Sequence, residues 1–268
     1  MPAPANEQPP VLLITAFPAW RTVRTLSRRL NVLVLDCGAE ALNGAHPAAI
    51  ARRALALLDS AGIERAHVYG IGVGGAAAHE LAGTQPGRVS RVVLAASPAV
   101  GRRRVPPDKQ TREFLARVAQ MPMEEAAWAS IPYLYGEATR TRYGGRIGED
   151  IARSLRPQTA PVSYRARLAS TTALDATLGR HRIAAPTLIV QGTADRIVPA
   201  ANAQQLADAI PNARLHLVEG AGHLYMTDEP GADREIVRFL LEEPLSAPRA
   251  GPPARRRRPP HAAPAAHA

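Results

Sequence analysis

Apolar and polar positions in this chain alternate in blocks rather than residue by residue. Six short runs are almost wholly apolar: VLLITA (11–16), NVLVLD (31–36), HVYGIG (67–72), RVVLAA (91–96), TLIVQG (187–192) and RLHLVE (214–219). Unbroken apolarity over a strand's length marks strands covered on both faces, as in a parallel sheet. Between them lie stretches with apolar residues at helical spacing: 48–62, 74–85, 201–210 and 235–243. Strands alternating with helices predict a doubly wound α/β fold around a mostly parallel sheet of about six strands. The alternation stops between about 101 and 180. There the helical pieces TREFLARVAQM and EDIARSLRP are joined by loops containing proline and glycine, which predicts a helical insertion over one end of the sheet.

The blocks divide the chain into a flexible N-terminus (1–10), a core (11–100 and 181–243), the insertion (101–180) and a tail (244–268). The tail, PLSAPRAGPPARRRRPPHAAPAAHA, has almost nothing to bury and is expected to be disordered. The net charge of +10 changes the picture little. Half of the excess is Arg249 and Arg255–Arg258 in that tail, and a charge run among prolines reads as solvated rather than as a nucleic-acid site. One cysteine, Cys37, excludes a disulfide framework and a cysteine-based metal site within one chain. MPAPANEQPP lacks the basic residues and apolar core of a secretory leader, and no apolar run is long enough to span a bilayer. A cytoplasmic protein acting on a small molecule is expected, with no metal, cofactor, nucleic-acid or membrane partner. Its oligomeric state is not legible.

The third strand runs into Gly70-Ile71-Gly72-Val73-Gly74-Gly75 and then an alanine-rich helix. Two machines use glycines at a strand-to-helix turn. Gly70, Gly72 and Gly75 fit the G-x-G-x-x-G phosphate cradle of dinucleotide-binding proteins. That cradle wants an acidic residue at the end of the next strand. The next strand ends instead in Ser97, followed by Arg102–Arg104, which would have to hold a 2′-phosphate. The other machine is a nucleophile elbow, G-x-S-x-G, which requires an acid after a later strand and then a histidine. Asp195 follows TLIVQG, and His223 follows RLHLVE, in that order.

With ALLDSAGIERAHVYG before the glycine turn, PTLIVQGTADRIVP and LHLVEGAGHLYMTDEP, the chain resembles the α/β-hydrolase superfamily over about residues 11–243. The resemblance implies that fold without its N-terminal β-hairpin, with the insertion as a helical lid. It puts the nucleophile position on Gly72 and makes His223 a general base oriented by Asp195. The backbone N–H groups of Phe17 and Val73 would form the oxyanion hole. The family's His-Gly pair after the first strand falls on Thr15-Ala16, although Phe17-Pro18 continues its pattern.

A residue with a Cβ at the tip of such an elbow is strained by about 1–3 kcal/mol; glycine is not. Gly72 therefore keeps the bend but forms no acyl-enzyme. Backbone oxyanion donors, worth about 2.7–4 kcal/mol each, do not depend on the missing side chain. A histidine base contributes about 10²–10⁴-fold.

Ser97, Thr15 and Cys37 also end strands, but none sits on an elbow. Cys37 reads equally as a small buried hydrophobe, and Ser97 as a hydroxyl satisfied by local backbone. Trp128, Tyr133, Tyr135, Met121 and Met123 would line a substrate pocket beneath the lid or simply pack, as Thr15 and Ser97 would at its floor. His46, His67, His79, His181 and His216 match no site motif and are expected on the surface or in packing.

Two functions follow. The first is an enzyme without a serine nucleophile, using His223 and Asp195 for proton abstraction, cyclisation, elimination or water-mediated hydrolysis on a small apolar or carbonyl-bearing metabolite. The second is a pseudo-hydrolase that binds a ligand or partner. The family's branch related to the N-myc downstream-regulated proteins has a similarly glycine-rich elbow.

Overall fold

In the computed structural model, residues 8–17, 19–38, 46–99, 104–155 and 182–241 are described. Six strands form one sheet: β1 (Pro10–Thr15), β2 (Asn31–Asp36), β3 (Ala66–Ile71), β4 (Val89–Ala95), β5 (Thr187–Gly192) and β6 (Ala213–Val218). Their order is β2-β1-β3-β4-β5-β6, and every pairing is parallel. Each apolar run of the sequence is thus a strand, displaced by at most two residues. β1 begins at Pro10, so the N-terminal segment gives up its last residue to the sheet.

The alternation of side chains along a strand sorts the core into two layers. Leu12, Ile14, Val68, Val92, Leu94 and Ile189 face one side, against α2 (Pro47–Ser60), α3 (Val73–Thr84) and α9 (Ala201–Ala209). Val11, Leu13, Tyr69, Val93, Leu188 and Val190 face the other, against α1 (Trp20–Leu26), α10 (Tyr225–Asp228) and α11 (Ala232–Leu240). Sequence patterning missed α1. Its seven residues carry no capping side chain, and Thr22 and Leu26 are its only buried members.

Helix α3 is the tightest element. All ten residues from Val73 to Ala82 are buried, and small side chains let the helix sit almost on the strands. A Cβ on Gly74 would collide with the Ile14 carbonyl. The expected surface or packing histidines divide accordingly. His67 and His79 are buried, His216 is half-buried on β6, and His46 caps α2 by accepting the Ala48 N–H at 3.3 Å. His181 lies outside the described residues.

Between β4 and β5 stand α4 (Lys109–Val118), α5 (Met123–Ala129), α6 (Ile131–Leu134), α7 (Glu137–Arg142) and α8 (Gly144–Ser154). Phe114, Leu115, Val118, Leu134, Ile147 and Ile151 form a third apolar cluster with Phe17, Ile197 and Val198 from the strand ends. The inserted helices thus pack over the carboxyl edge of the sheet. Asp150 of α8 fastens them there. It accepts hydrogen bonds from Trp20 Nε1 (3.0 Å), Arg21 Nε (3.1 Å), Thr227 Oγ1 (2.6 Å) and Tyr135 Oη (3.4 Å). Residues 156–180 of the expected lid, with Arg102, Arg103 and the tail arginines, are outside the described residues. Among the described residues no helix is long and apolar enough to cross a membrane.

Candidate active site

β3 ends at Ile71, and the chain reverses at Gly72 into α3. Gly72 has φ 59° and ψ −122°, a conformation in which an L side chain is strained. Its N–H still donates to Ala95 of the neighbouring strand, so the bend is anchored in the sheet. Among the described residues, its chain neighbours apart, a Cβ built on Gly72 would have two heavy atoms within 4 Å, both from His223: Nε2 at 3.6 Å and Cε1 at 3.8 Å. Space at the tip of the bend thus opens directly onto an imidazole nitrogen.

His223 and Asp195 meet as the motif order predicts. Asp195 follows β5, His223 follows β6, and parallel pairing of the two strands brings both loops to one edge. His223 Nδ1 lies 2.9 Å from Asp195 Oδ2, with both side chains fully buried. The carboxylate is held rigidly. Oδ1 accepts the N–H groups of Ile197 (2.8 Å) and Val198 (2.9 Å), and Oδ2 also accepts Gln191 Nε2 (3.0 Å). An acceptor on Nδ1 directs the other imidazole nitrogen towards the bend. Nε2 is buried and has no hydrogen-bond partner among the described residues.

The histidine's backbone is held from two sides. The Gly222 N–H donates to Asp228 Oδ2 at 2.7 Å, and the Leu224 N–H donates to the Leu134 carbonyl of the insertion at 2.9 Å. Burial pushes the Asp228 carboxyl above its ordinary range, against the lowering effect of its hydrogen bonds to Thr139, Gly222 and Gly136.

The remaining site residues are distributed unevenly. Phe17 sets its ring edge-on to His223, with centroids 5.9 Å apart. Its N–H is not an open donor, because it donates to Thr15 Oγ1 at 3.1 Å; Thr15 Oγ1 in turn donates to the Phe17 carbonyl at 2.9 Å. Val73 is the first residue of α3, so its N–H has no acceptor within the helix. Ser97 is buried against Gly75, and among the described residues its hydroxyl makes only a long 3.4 Å contact to the Pro98 carbonyl. Its neighbour Ala96 is the one non-glycine with positive φ among the described residues, at 44°. Cys37 is fully buried, as a small hydrophobe would be.

The aromatic residues of the insertion separate. Tyr135 is buried and bonded to Asp150, and it lines a small cleft of about 20 Å³ with Phe17, Leu224 and Met226. Tyr133 stacks on Phe114 at 3.8 Å. Trp128 is 53% exposed on α5, and Met123 is exposed too. Their apolar character suggested enclosure, but among the described residues neither is enclosed.

Gln191, Asp228 and Asp150 were missed by sequence reasoning. Only Gln191 carried a signal, as a polar side chain closing an otherwise apolar run. Among the described residues no cluster of histidine, cysteine and acidic side chains could hold a metal ion.

Comparison with known proteins bears on the fold. The family model described as alpha/beta hydrolase fold matches residues 9–230. A relative from Pseudomonas savastanoi pv. phaseolicola, named "Putative carbamate hydrolase RutD", is 31% identical over 230 residues, covering 80% of this chain and 85% of that one. The poly(3-hydroxyalkanoate) depolymerase of Ectopseudomonas oleovorans is 27% identical over 207 residues, covering 72% and 67%. Among solved structures, the enol-lactonase from Burkholderia xenovorans superposes with a TM-score of 0.71 at 20% identity, covering 90% of this chain and 95% of that one. That likeness is one of fold.

Proposed function

Since the chain belongs to the alpha/beta hydrolase fold family, we propose that it is a member without a serine nucleophile, working non-covalently through His223 and Asp195 on a small carbonyl-bearing metabolite. The observation that carries this reading is the space at Gly72, where a Cβ would lie 3.6 Å from a buried imidazole nitrogen with no hydrogen-bond partner among the described residues. The space suits a water molecule. In water-mediated hydrolysis, Nε2 takes a proton from that water as its oxygen attacks the carbonyl carbon. The imidazolium is stabilised by Asp195 and returns the proton to the leaving group. Proton abstraction from the substrate, elimination and cyclisation use the same base.

The Val73 N–H supplies one oxyanion donor, and the Phe17 N–H supplies a second once the Thr15 hydroxyl turns away. The relatives' printed names, a carbamate hydrolase and a polyester depolymerase, favour acyl derivatives as substrates.

The engaged Phe17 N–H favours a second reading, in which the fold binds a ligand without turnover. A panel of small esters, lactones and carbamates separates the two. Turnover that falls by about 10²–10⁴-fold in His223→Ala supports the enzyme. Unchanged turnover in that variant removes the base. A fluorophosphonate probe should leave the protein unlabelled, and labelling at Ser97 would overturn the non-covalent mechanism.

A further inference from the structure

Gly220, Ala221 and Gly222 precede His223 in its loop, and the insertion lies directly on their backbone. A Cβ on Gly222 would come within 2.6 Å of the Leu134 carbonyl oxygen, and one on Gly136 within 2.1 Å of the Gly220 carbonyl oxygen. Leu134 ends α6 and Gly136 precedes α7, so both contacts come from one turn of the insertion.

Asp228, the last residue of α10, closes this contact. Its Oδ2 accepts the Gly222 N–H at 2.7 Å and the Gly136 N–H at 2.9 Å, so a single atom joins the loop to the insertion. On the other side of the histidine, the Leu224 N–H donates to the Leu134 carbonyl at 2.9 Å. α10 itself is bound to α8. Thr227 Oγ1 donates to Asp150 at 2.6 Å, and Arg146 Nη1 donates to the carbonyls of Thr227 (3.2 Å) and Asp228 (3.3 Å). The end of β5 holds the loop too, through Thr193 to the Gly220 N–H and Ala194 to the Ala221 carbonyl. The bonds that flank His223 immediately, at 222 and 224, go to Asp228 and to the insertion.

We propose that Asp228 is a positioning residue: it staples the His223 loop to the 134–136 turn, so that the seat of the insertion decides where the imidazole stands relative to Gly72. The insertion and the base move as one unit, and a ligand that shifts the insertion shifts Nε2 with it. The consequence for turnover rests on the reading of His223 as a base; the coupling itself does not.

Amide hydrogen exchange and imidazole NMR on the full-length protein test this. In the unaltered protein the amides of Gly136, Gly222 and Leu224 should share one opening free energy and one urea dependence, as members of a single cooperative unit do. Asp228→Ala removes the shared acceptor. Exchange at Gly136 and Gly222 should quicken by about tenfold or more, the worth of a hydrogen bond to a charged group, while β3 amides keep their rates and the His223 signals move. Asp228→Asn keeps an oxygen acceptor and should restore most of the protection and the signals. Gly136→Ala, whose methyl group would press on the Gly220 carbonyl, should also move the His223 signals. On a hydrolysed ester, kcat in Asp228→Ala should fall by up to about 10²-fold, as for a base displaced by about an ångström, with KM changing less.

Three separate opening free energies in the unaltered protein overturn the staple. So do unmoved His223 signals in folded Asp228→Ala or folded Gly136→Ala, even where Gly136 exchanges faster. If β3 amides quicken equally in Asp228→Ala, that variant has lost general stability, and exchange in the unaltered protein decides. If turnover depends on His223 but kcat in Asp228→Ala is unchanged, the base survives and this inference falls. If the three amides open together, the His223 signals follow the insertion and no His223-dependent turnover exists, the staple stands and the catalytic reading falls.

Discussion

Asp195 and Asp233 are both buried carboxylates, but they are provided for very differently. Asp195, at the end of β5, accepts from two backbone N–H groups, an amide and an imidazole. Asp233, in the first turn of α11, accepts from Thr22 Oγ1 at 2.9 Å, and its Oδ1 finds no hydrogen-bond partner among the described residues. Burial pushes its carboxyl up to about 6, a rise that hydrogen bonds from Thr22 and Tyr69 only partly oppose. Around it, Tyr69 and Tyr225 share a hydroxyl–hydroxyl contact. Burial is the main cause that drives both phenols well above their ordinary range. The donors supplied, not the depth of burial, distinguish a carboxylate built to orient a histidine from one that is costly to ionise.

The largest test of that contrast is Asp195→Ala, which strands its donors in the interior. It should cost about 3–5 kcal/mol of stability, read by urea unfolding. Asp233→Asn should act in the opposite direction. A carboxyl raised in the folded state leaves its stability contribution intact below about pH 4, and that contribution is lost as pH rises towards about 6. Removing the charge should therefore stabilise the protein above pH 6 by up to about 3 kcal/mol and flatten the pH dependence between those values. A variant no more stable than its parent at pH 7 would dissolve the distinction.

Thr22→Val removes the hydroxyl donor to Asp233. Above pH 6 it should destabilise by about 1.5–3 kcal/mol and move the pH step upward. Gln191→Leu removes one donor of four from Asp195 and should cost about 1 kcal/mol, because the others remain.

What could be read from the sequence follows the range of each interaction. The strands and main helices were legible because burial on both faces leaves a local signature. His223 and Asp195 were legible because each follows a strand in a glycine-containing turn, and parallel pairing then fixes where they meet. Gly72 was legible as a bend, but that a Cβ there would lie 3.6 Å from His223 Nε2 needed coordinates. The Trp20–Asp150 bond joins residues 130 apart, with no pattern linking them. The Thr15 hydroxyl's hold on Phe17 also had no sequence signal, since the same hydroxyl would equally well have faced a ligand.

The seating of α3 on β1 is main chain against main chain, with no side chain between Gly74 and the Ile14 carbonyl. That junction behaves as a hard stop in a machine. Leucine-for-valine drift elsewhere in the interior can be absorbed by rotamer changes without lifting the helix, whereas one methyl group at residue 74 would tilt its whole leading end. Tolerance to sequence change should therefore be lowest where the side chains are smallest.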